Sequence, residues 1–326
     1  MTESKVEVEA DVCCANCGIA GVDDVKLEEC TDCDLVSYCG DNCRENHREQ
    51  HHDECKKRKA LLHDRKLFTQ PEETHLGECP LCFLPLPLDR QKSVFYSCCS
   101  RLICNGCLYA NTMSNLHDGV KRASHCAFCR EPANDEENRK RNMKRVKAND
   151  PAAMSHMGGK CYHEGDYDTA LGYFTKAAEL GYANAHCRLG ILYLDGDGVE
   201  KDEEKSVYHF EKAAIGGHPG ARFSLGCHEG INGSVERAVK HFMIAAKHGC
   251  VASMKALWKE FKDGYITKED LDATLRSHQD ALNAMKSAQR DAAEVALQGL
   301  DEWAASKMSS RDRCRIQCSK RWERAK

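Results

Sequence analysis

Residues 189–217 read LGILYLDGDGVEKDEEKSVYHFEKAAIGG, and this stretch decides the fold. It carries a marker at Leu189-Gly190, a glycine-rich turn at Asp195–Gly198, and an alanine pair closing on glycine at Ala213–Gly217. The first marker recurs as Met157-Gly158, Leu225-Gly226 and Leu257-Trp258, at steps of 32, 36 and 32 residues. The second runs in phase as AAELG at Ala177–Gly181 and AAKHG at Ala245–Gly249. Between markers each unit reads as two helices. The second helix begins near Asp166, Glu203 or Ser234 and stops at a glycine suited to a left-handed cap. Paired alanines let helices approach closely, and Tyr173, Phe174, Phe210 and Phe242 supply bulk. A repeat of this length predicts an α-helical solenoid over residues 151–283. The fourth unit, from Val251 to about Asn283, is degenerate and is expected to cap the array.

The motif from Leu189 to Gly217 resembles the Sel-one-like repeats, relatives of the tetratricopeptide family. That resemblance implies a surface for partner proteins. No catalytic set falls on these repeats: Asp195-Gly-Asp-Gly lacks the downstream acids of a calcium loop and reads as an inter-helix turn. Cys161, Cys187, Cys227 and Cys250 sit at helical positions without metal spacing and read as core thiols.

Elsewhere cysteine dominates. Of 22 cysteines in 326 residues, sixteen lie between Cys13 and Cys129. The amino-terminal stretch is polar and acidic without an apolar signal core, and no apolar run reaches the roughly 18 residues of a membrane span. The expectation is a soluble, intracellular protein, cytoplasmic or nuclear, without membrane contact. In a reducing compartment these thiols suggest metal rather than disulfides. The net charge of −4 does not argue for nucleic acid.

Residues 14–55 follow the pattern CxxC-x12-CxxC-x5-C-x3-C-x7-H-x3-C. The helix-favouring run 41–59 would let Cys39 and Cys43, or His51 and Cys55, grip one ion from a shared face. The pattern resembles a MYND zinc finger, a docking module for short peptides, although Arg48 stands where that family usually has Trp. The family's interleaved pairing implies one zinc on Cys14, Cys17, Cys39 and Cys43, and a second on Cys30, Cys33, His51 and Cys55. Cys13 is an alternative to Cys14, and His47 and His52 are alternatives to His51. A segment so short and polar needs the metal in order to fold.

Residues 79–130 hold a second series: CPLC at Cys79–Cys82, then Cys98, Cys99, Cys104 and Cys107, then CAFCR at Cys126–Arg130. Eight cysteines complete two four-sulfur shells with no open position, the character of structural zinc. The layout resembles an all-cysteine RING finger, which implies one zinc on Cys79, Cys82, Cys104 and Cys107 and another on Cys98, Cys99, Cys126 and Cys129. Adjacent Cys98 and Cys99 can share an ion only where the chain kinks; otherwise His125 or His117 completes that site. The resemblance implies a ubiquitin ligase in which Phe83, Leu84 and Leu108 meet a ubiquitin-conjugating enzyme and Arg130 positions ubiquitin, although Ala127 replaces the family's proline. The rival reading is a zinc-binding scaffold that only docks proteins, with Phe83, Leu84 and Leu108 forming the module's own core.

The whole is expected to be an α-helical solenoid preceded by two small modules carrying four structural zinc ions. Residues 56–78 form a charged connector and 131–150 a charged linker, with six basic residues among the nine from Arg139 to Lys147. That run reads as a solvated helix, and no aromatic platform accompanies it for nucleic acid. Residues 284–310 are expected to be helical and 311–326 to form a basic tail, in which Cys314 and Cys318 cannot close a zinc site alone.

Overall fold

The computed structural model describes residues 13–19, 26–117, 125–130 and 135–307; the expected basic tail lies outside them. The chain divides into two compact units, residues 1–69 and 70–326. In the first, β1 (Glu28–Glu29) pairs antiparallel with β2 (Ser37–Tyr38), followed by α1 (Asp41–Asn46) and α2 (Arg48–Phe68). The expected single helix over 41–59 is therefore broken at His47, and Cys39 precedes α1 instead of lying on it.

The second unit opens with an antiparallel hairpin, β3 (Ser93–Tyr96) and β4 (Arg101–Cys104), and α3 (Asn105–His117). Its small core gathers Cys79, Leu86, Ile103, Cys104 and Cys107, with Leu108 and Phe128 packed against them. Helix α4 (Asp135–Lys147) leads into the repeats. Its basic run is partly neutralised from within: Lys140 pairs with Glu136 at 3.1 Å and Arg141 with Glu137 at 3.5 Å.

The repeats are four helix pairs: α5 (Pro151–Glu164) with α6 (Tyr167–Glu179), α7 (Ala183–Asp195) with α8 (Glu203–Ile215), α9 (Pro219–Ile231) with α10 (Val235–Lys247), and α11 (Val251–Lys262) with α12 (Lys268–Ala284). Local signals set their ends. Asp150 accepts from the amides of Ala152 and Ala153 ahead of Pro151, Asp166 caps α6, and Asp202 caps α8. Side-chain caps of this kind satisfy amides that have no partner within the helix.

The packing explains the repeated glycine. A Cβ at Gly158, Gly190 or Gly226 would lie 2.8, 2.7 or 2.4 Å from the ring of Phe174, Phe210 or Phe242 respectively. Each glycine is the seat of its own repeat's phenylalanine. Buried alanines, among them Ala177, Ala213 and Ala245, close the helix contacts around those rings. In the fourth pair Trp258 replaces the glycine and is exposed, so the ring-in-seat device ends there. The Asp195–Gly198 stretch is a turn, and Asp197 accepts a 2.8 Å bond from the Tyr162 hydroxyl. A last helix, α13 (Ala288–Lys307), packs along α3. No helix among the described residues is long and apolar enough to cross a membrane.

Candidate metal centres

Four turns of one kind build the centres. Apart from Cys104–Cys107, which runs from the end of β4 into α3, in each CxxC pair the residue after the second cysteine donates its amide to the carbonyl of the first: Gly18 to Cys14 at 2.9 Å, Asp34 to Cys30 at 3.1 Å, Phe83 to Cys79 at 2.8 Å, and Arg130 to Cys126 at 2.9 Å. All four have positive φ, at 74°, 52°, 55° and 56°. The turn aims both thiols to one side, as tetrahedral zinc requires.

These knuckles meet distant partners in four clusters, whose ligand atoms lie within 4.8 Å of one another. In the first unit they are Cys14, Cys17, Cys39 and Cys43, and Cys30, Cys33, His51 and Cys55. In the second they are Cys79, Cys82, Cys104 and Cys107, and Cys98, Cys99, Cys126 and Cys129. Three of the sets join a CxxC pair to a later pair, and the fourth joins Cys126 and Cys129 to the earlier Cys98 and Cys99, so the two clusters of each module interleave in sequence. Cys13 stands outside them, exposed. Among the histidines, His51 turns Nε2 to Cys33 at 3.1 Å, whereas His47 bonds the Tyr38 hydroxyl and His52 the Asp53 carboxylate. Cys98 and Cys99 share a cluster because they occupy the β3–β4 turn, where Cys99 bonds back to Tyr96 and Ser100 has φ 49°. The kink that two adjacent ligands need is that turn.

The spacing tests the metal. Tetrahedral zinc with bonds of about 2.3 Å sets its sulfurs about 3.8 Å apart. The pairs Cys30–Cys55, Cys79–Cys107, Cys82–Cys104 and Cys99–Cys126 stand at 3.8 Å, and Cys17–Cys39, Cys39–Cys43 and Cys98–Cys129 at 3.6 Å. A disulfide would need about 2.05 Å. The charge balance agrees. The Cys17 amide pulls Cys14 down to about 6, whereas hydrogen bonds with Cys17 and Cys43 push Cys39 up to about 12. Burial and the thiols of Cys129 and Cys126 push Cys99 up to about 11. Four crowded thiols cannot all ionise unless a cation sits among them. The four clusters suit several zinc ions, with all ligands supplied by protein.

Around the second pair of clusters, Phe83 is 70% exposed and Leu81 is also exposed. Leu84 is partly buried, Leu108 packs into the module's core, and Arg130 is exposed. Two arrangements around the module were not legible in the sequence. Arg290 on α13 reaches into it, donating to the Pro85 and Leu84 carbonyls. The chain from Pro71 to Cys98 also runs across successive repeats. Pro71 meets His248, His75 donates its amide to Gly217 at 2.9 Å, Arg90 bonds Asn184 at 3.1 Å, and Phe95 packs on His156. Arg145 then holds the Cys98 carbonyl at 2.9 Å. Residues 70–78 of the expected connector therefore lie against the α8–α9 and α10–α11 turns, and Arg90 reaches the start of α7.

Comparison with known proteins gives names to two regions. The MYND finger family matches residues 14–55, and the Sel1 repeat family matches residues 151–182 and 183–218. HcpC of Helicobacter pylori, whose name places it provisionally among beta-lactamases, is 41% identical over 56 residues, 17% of this chain and 19% of that protein. Chitin synthase regulatory factor 4 of Schizosaccharomyces pombe is 33% identical over 81 residues, 24% of this chain and 13% of that protein. The chain thus spans under a fifth of the length of the curated relatives it matches. Among solved structures, a Sel1 repeat protein from Oxalobacter formigenes aligns at 24% identity and TM-score 0.41, covering 54% of this chain and 73% of that one. The chain carries a MYND finger and Sel1 repeats.

Proposed function

We propose that this protein is a zinc-stabilised protein-interaction scaffold, with a MYND finger at 13–55, a second zinc module at 79–130 and a repeat array at 151–283. One observation carries the reading: each of the four clusters has four protein ligands, a closed shell that holds structure and leaves no position for a reacting water. MYND fingers and Sel1 repeats generally mediate protein contacts. On the repeats, residues 70–96 lie against the α8–α9 and α10–α11 turns and the start of α7, so a partner would use other faces. A groove of about 430 Å³ between α8 and α9 is lined by Glu203, Glu204, Val207, Tyr208, Glu211 and His228. Its carboxylates and the half-exposed Tyr208 favour a basic peptide.

The 79–130 module supports a second reading, a RING-type ubiquitin ligase. Its clusters interleave as in that family, and Phe83 and Arg130 are exposed at matching knuckle positions. The positive φ at both is common to the four knuckle turns, so the reading rests on the exposure of the two side chains. Catalysis there would be by positioning, with Phe83 holding a conjugating enzyme and Arg130 the ubiquitin.

A ubiquitin-discharge assay over a panel of conjugating enzymes separates the readings, with zinc measured on each sample. The scaffold expects no discharge from the fully loaded chain, and specific partners that are lost on Cys33→Ala. Chain formation that Phe83→Ala abolishes and Arg130→Ala weakens would replace it with the ligase.

A further inference from the structure

Helix α13 follows α12 after only Met285, Lys286 and Ser287, and turns onto the second zinc module. Its anchor is Arg290. Nη1 donates to the Pro85 carbonyl at 2.8 Å and to the Met285 carbonyl at 2.7 Å. Nη2 donates to the Leu84 carbonyl at 3.2 Å and to Cys82 Sγ at 3.4 Å. Gly106 makes the room: a Cβ there would lie 2.8 Å from Arg290 Cγ and 2.9 Å from its backbone nitrogen. One turn along the helix, both oxygens of Glu294 accept from Lys92 at 3.0 Å.

The notch is chemically one-sided. The module groups that face the guanidinium are the Leu84 and Pro85 carbonyls and the thiols of Cys82 and Cys104, both of one metal cluster. Four thiolates around one divalent ion would leave a formal charge of about −2 beside it. Such a site selects a planar donor with several N–H groups, which is arginine rather than lysine. Lys92 extends the selection to a carboxylate one helical turn away, on the same face as the arginine. Both members of that outer pair are about half exposed, at 48% and 50%, so a competing helix can reach them.

We propose that the notch between the Cys82–Pro85 knuckle and Gly106 is an arginine-reading docking site. It is held in cis by α13 and taken in trans by a partner helix that presents arginine and, four residues on, an acidic residue. The proposal deepens the scaffold reading by naming the chemistry of one partner. A tethered helix competes at an effective concentration of order millimolar for a short linker, so the native chain admits only a partner that outmatches that tether.

The test uses a fluorescent peptide of residues 286–307 and the zinc-loaded full-length chain. Arg290→Ala in the chain weakens the cis helix, and capture of the wild-type peptide should tighten about tenfold or more relative to the unaltered chain. The same peptide carrying Arg290→Ala should lose that gain. Where Arg290→Ala disturbs zinc content, Lys92→Glu in the chain carries the test, and it should prefer a Glu294→Lys peptide over the wild-type one. Hydrogen exchange at 82–86 and 105–113 should rise in both altered chains. Equal capture by altered and unaltered chains, or capture indifferent to the peptide's arginine, overturns the proposal. Because the assay contains neither ubiquitin nor a cellular partner, failure of the scaffold reading leaves its outcome unchanged, and the converse holds.

Discussion

The pairing of Gly190 with Phe210 yields a prediction with an inverted sign. A Cβ at residue 190 would stand 2.7 Å from Cδ1 and Cε1 of Phe210 and 3.0 Å from Cγ. Comfortable carbon contacts lie at about 3.5–4.0 Å, and a ring edge anchored at Cγ cannot swing clear as a flexible chain end would. Overpacking of this kind costs about 1–3 kcal/mol. Against it, Gly→Ala within a helix returns about 1 kcal/mol. Gly190→Ala alone should therefore destabilise α7 and α8, by about 1 kcal/mol. Phe210→Ala removes a ring only 3% exposed and should cost about 3–5 kcal/mol. In that background the obstacle is gone while the helix preference remains, so Gly190→Ala should stabilise by about 1 kcal/mol. The coupling of about 2 kcal/mol stands well above the few tenths expected between independent sites. Hydrogen exchange of the α7 and α8 amides in the zinc-loaded full chain reads local opening without assuming two-state unfolding of the whole. Equal stabilisation by Gly190→Ala in both backgrounds would refute the seat, and the recurring glycine would then need another cause.

Three further outcomes are expected. Metal analysis should find four zinc ions per chain, and chelation should unfold residues 13–55, each ion contributing on the order of 10 kcal/mol of apparent folding energy; a far-UV signal that stays mostly helical locates the loss outside the repeats. Phe83→Gly should stabilise the second module by about 1 kcal/mol, because glycine relieves the positive φ and the exposed ring takes little burial with it; slower zinc release reports this, and faster release would make Phe83 a core residue. Gly217→Val should free residues 71–78 to proteolysis, since φ is +77° and a Cβ would stand 2.7 Å from the Glu73 carbonyl oxygen; unchanged cleavage counts against the contact.

The solenoid and the ligand clusters were legible because both are written as spacing. The Leu-Gly and Ala-Ala…Gly markers recur with the helix pair, and a metal shell announces itself through residue type. Ambiguities such as Cys13 against Cys14, or His51 against His47, needed geometry: His47 is engaged by Tyr38, which only the fold brings near. The doubt over Cys98 and Cys99 came from assuming an extended strand where a hairpin turn lies. Arg290 was invisible for a different reason. Its partners are the carbonyls of Leu84 and Pro85, some 205 residues away, and carbonyls leave no trace in side-chain identity. The path of residues 71–98 over the repeats is hidden likewise, since it depends on backbone groups of Gly217 and Cys98.

That path carries a dependence on acidity. His75 and His218 stack with ring centroids 3.9 Å apart. Burial, followed by the nearby Arg90 charge, pulls His75 from its ordinary 6.5 down to about 4, while the Gly217 carbonyl works the other way. Burial, then the charges of His75 and Arg90, holds His218 well below 6.5. Both rings are neutral in the folded chain at pH 7, whereas unfolded they would take up protons near 6.5. Between those values the unfolded state binds more protons, so stability rises with pH. The His75 contribution is complete above about 6.5 and falls away as pH drops toward about 4, at up to about 1.4 kcal/mol per pH unit, and His218 adds to it in the same direction. Metal thiolates protonate in the same acid range, so a single melt cannot isolate the pair. The difference between the native chain and His75→Phe can, because phenylalanine keeps the stack without the titration. The variant should lose stability less steeply between pH 6.5 and 4, with the two curves parallel above 7. Parallel curves throughout, or a His75 ring that titrates near 6.5 by NMR, would mean that residues 71–78 do not lie against the α8–α9 turn in solution.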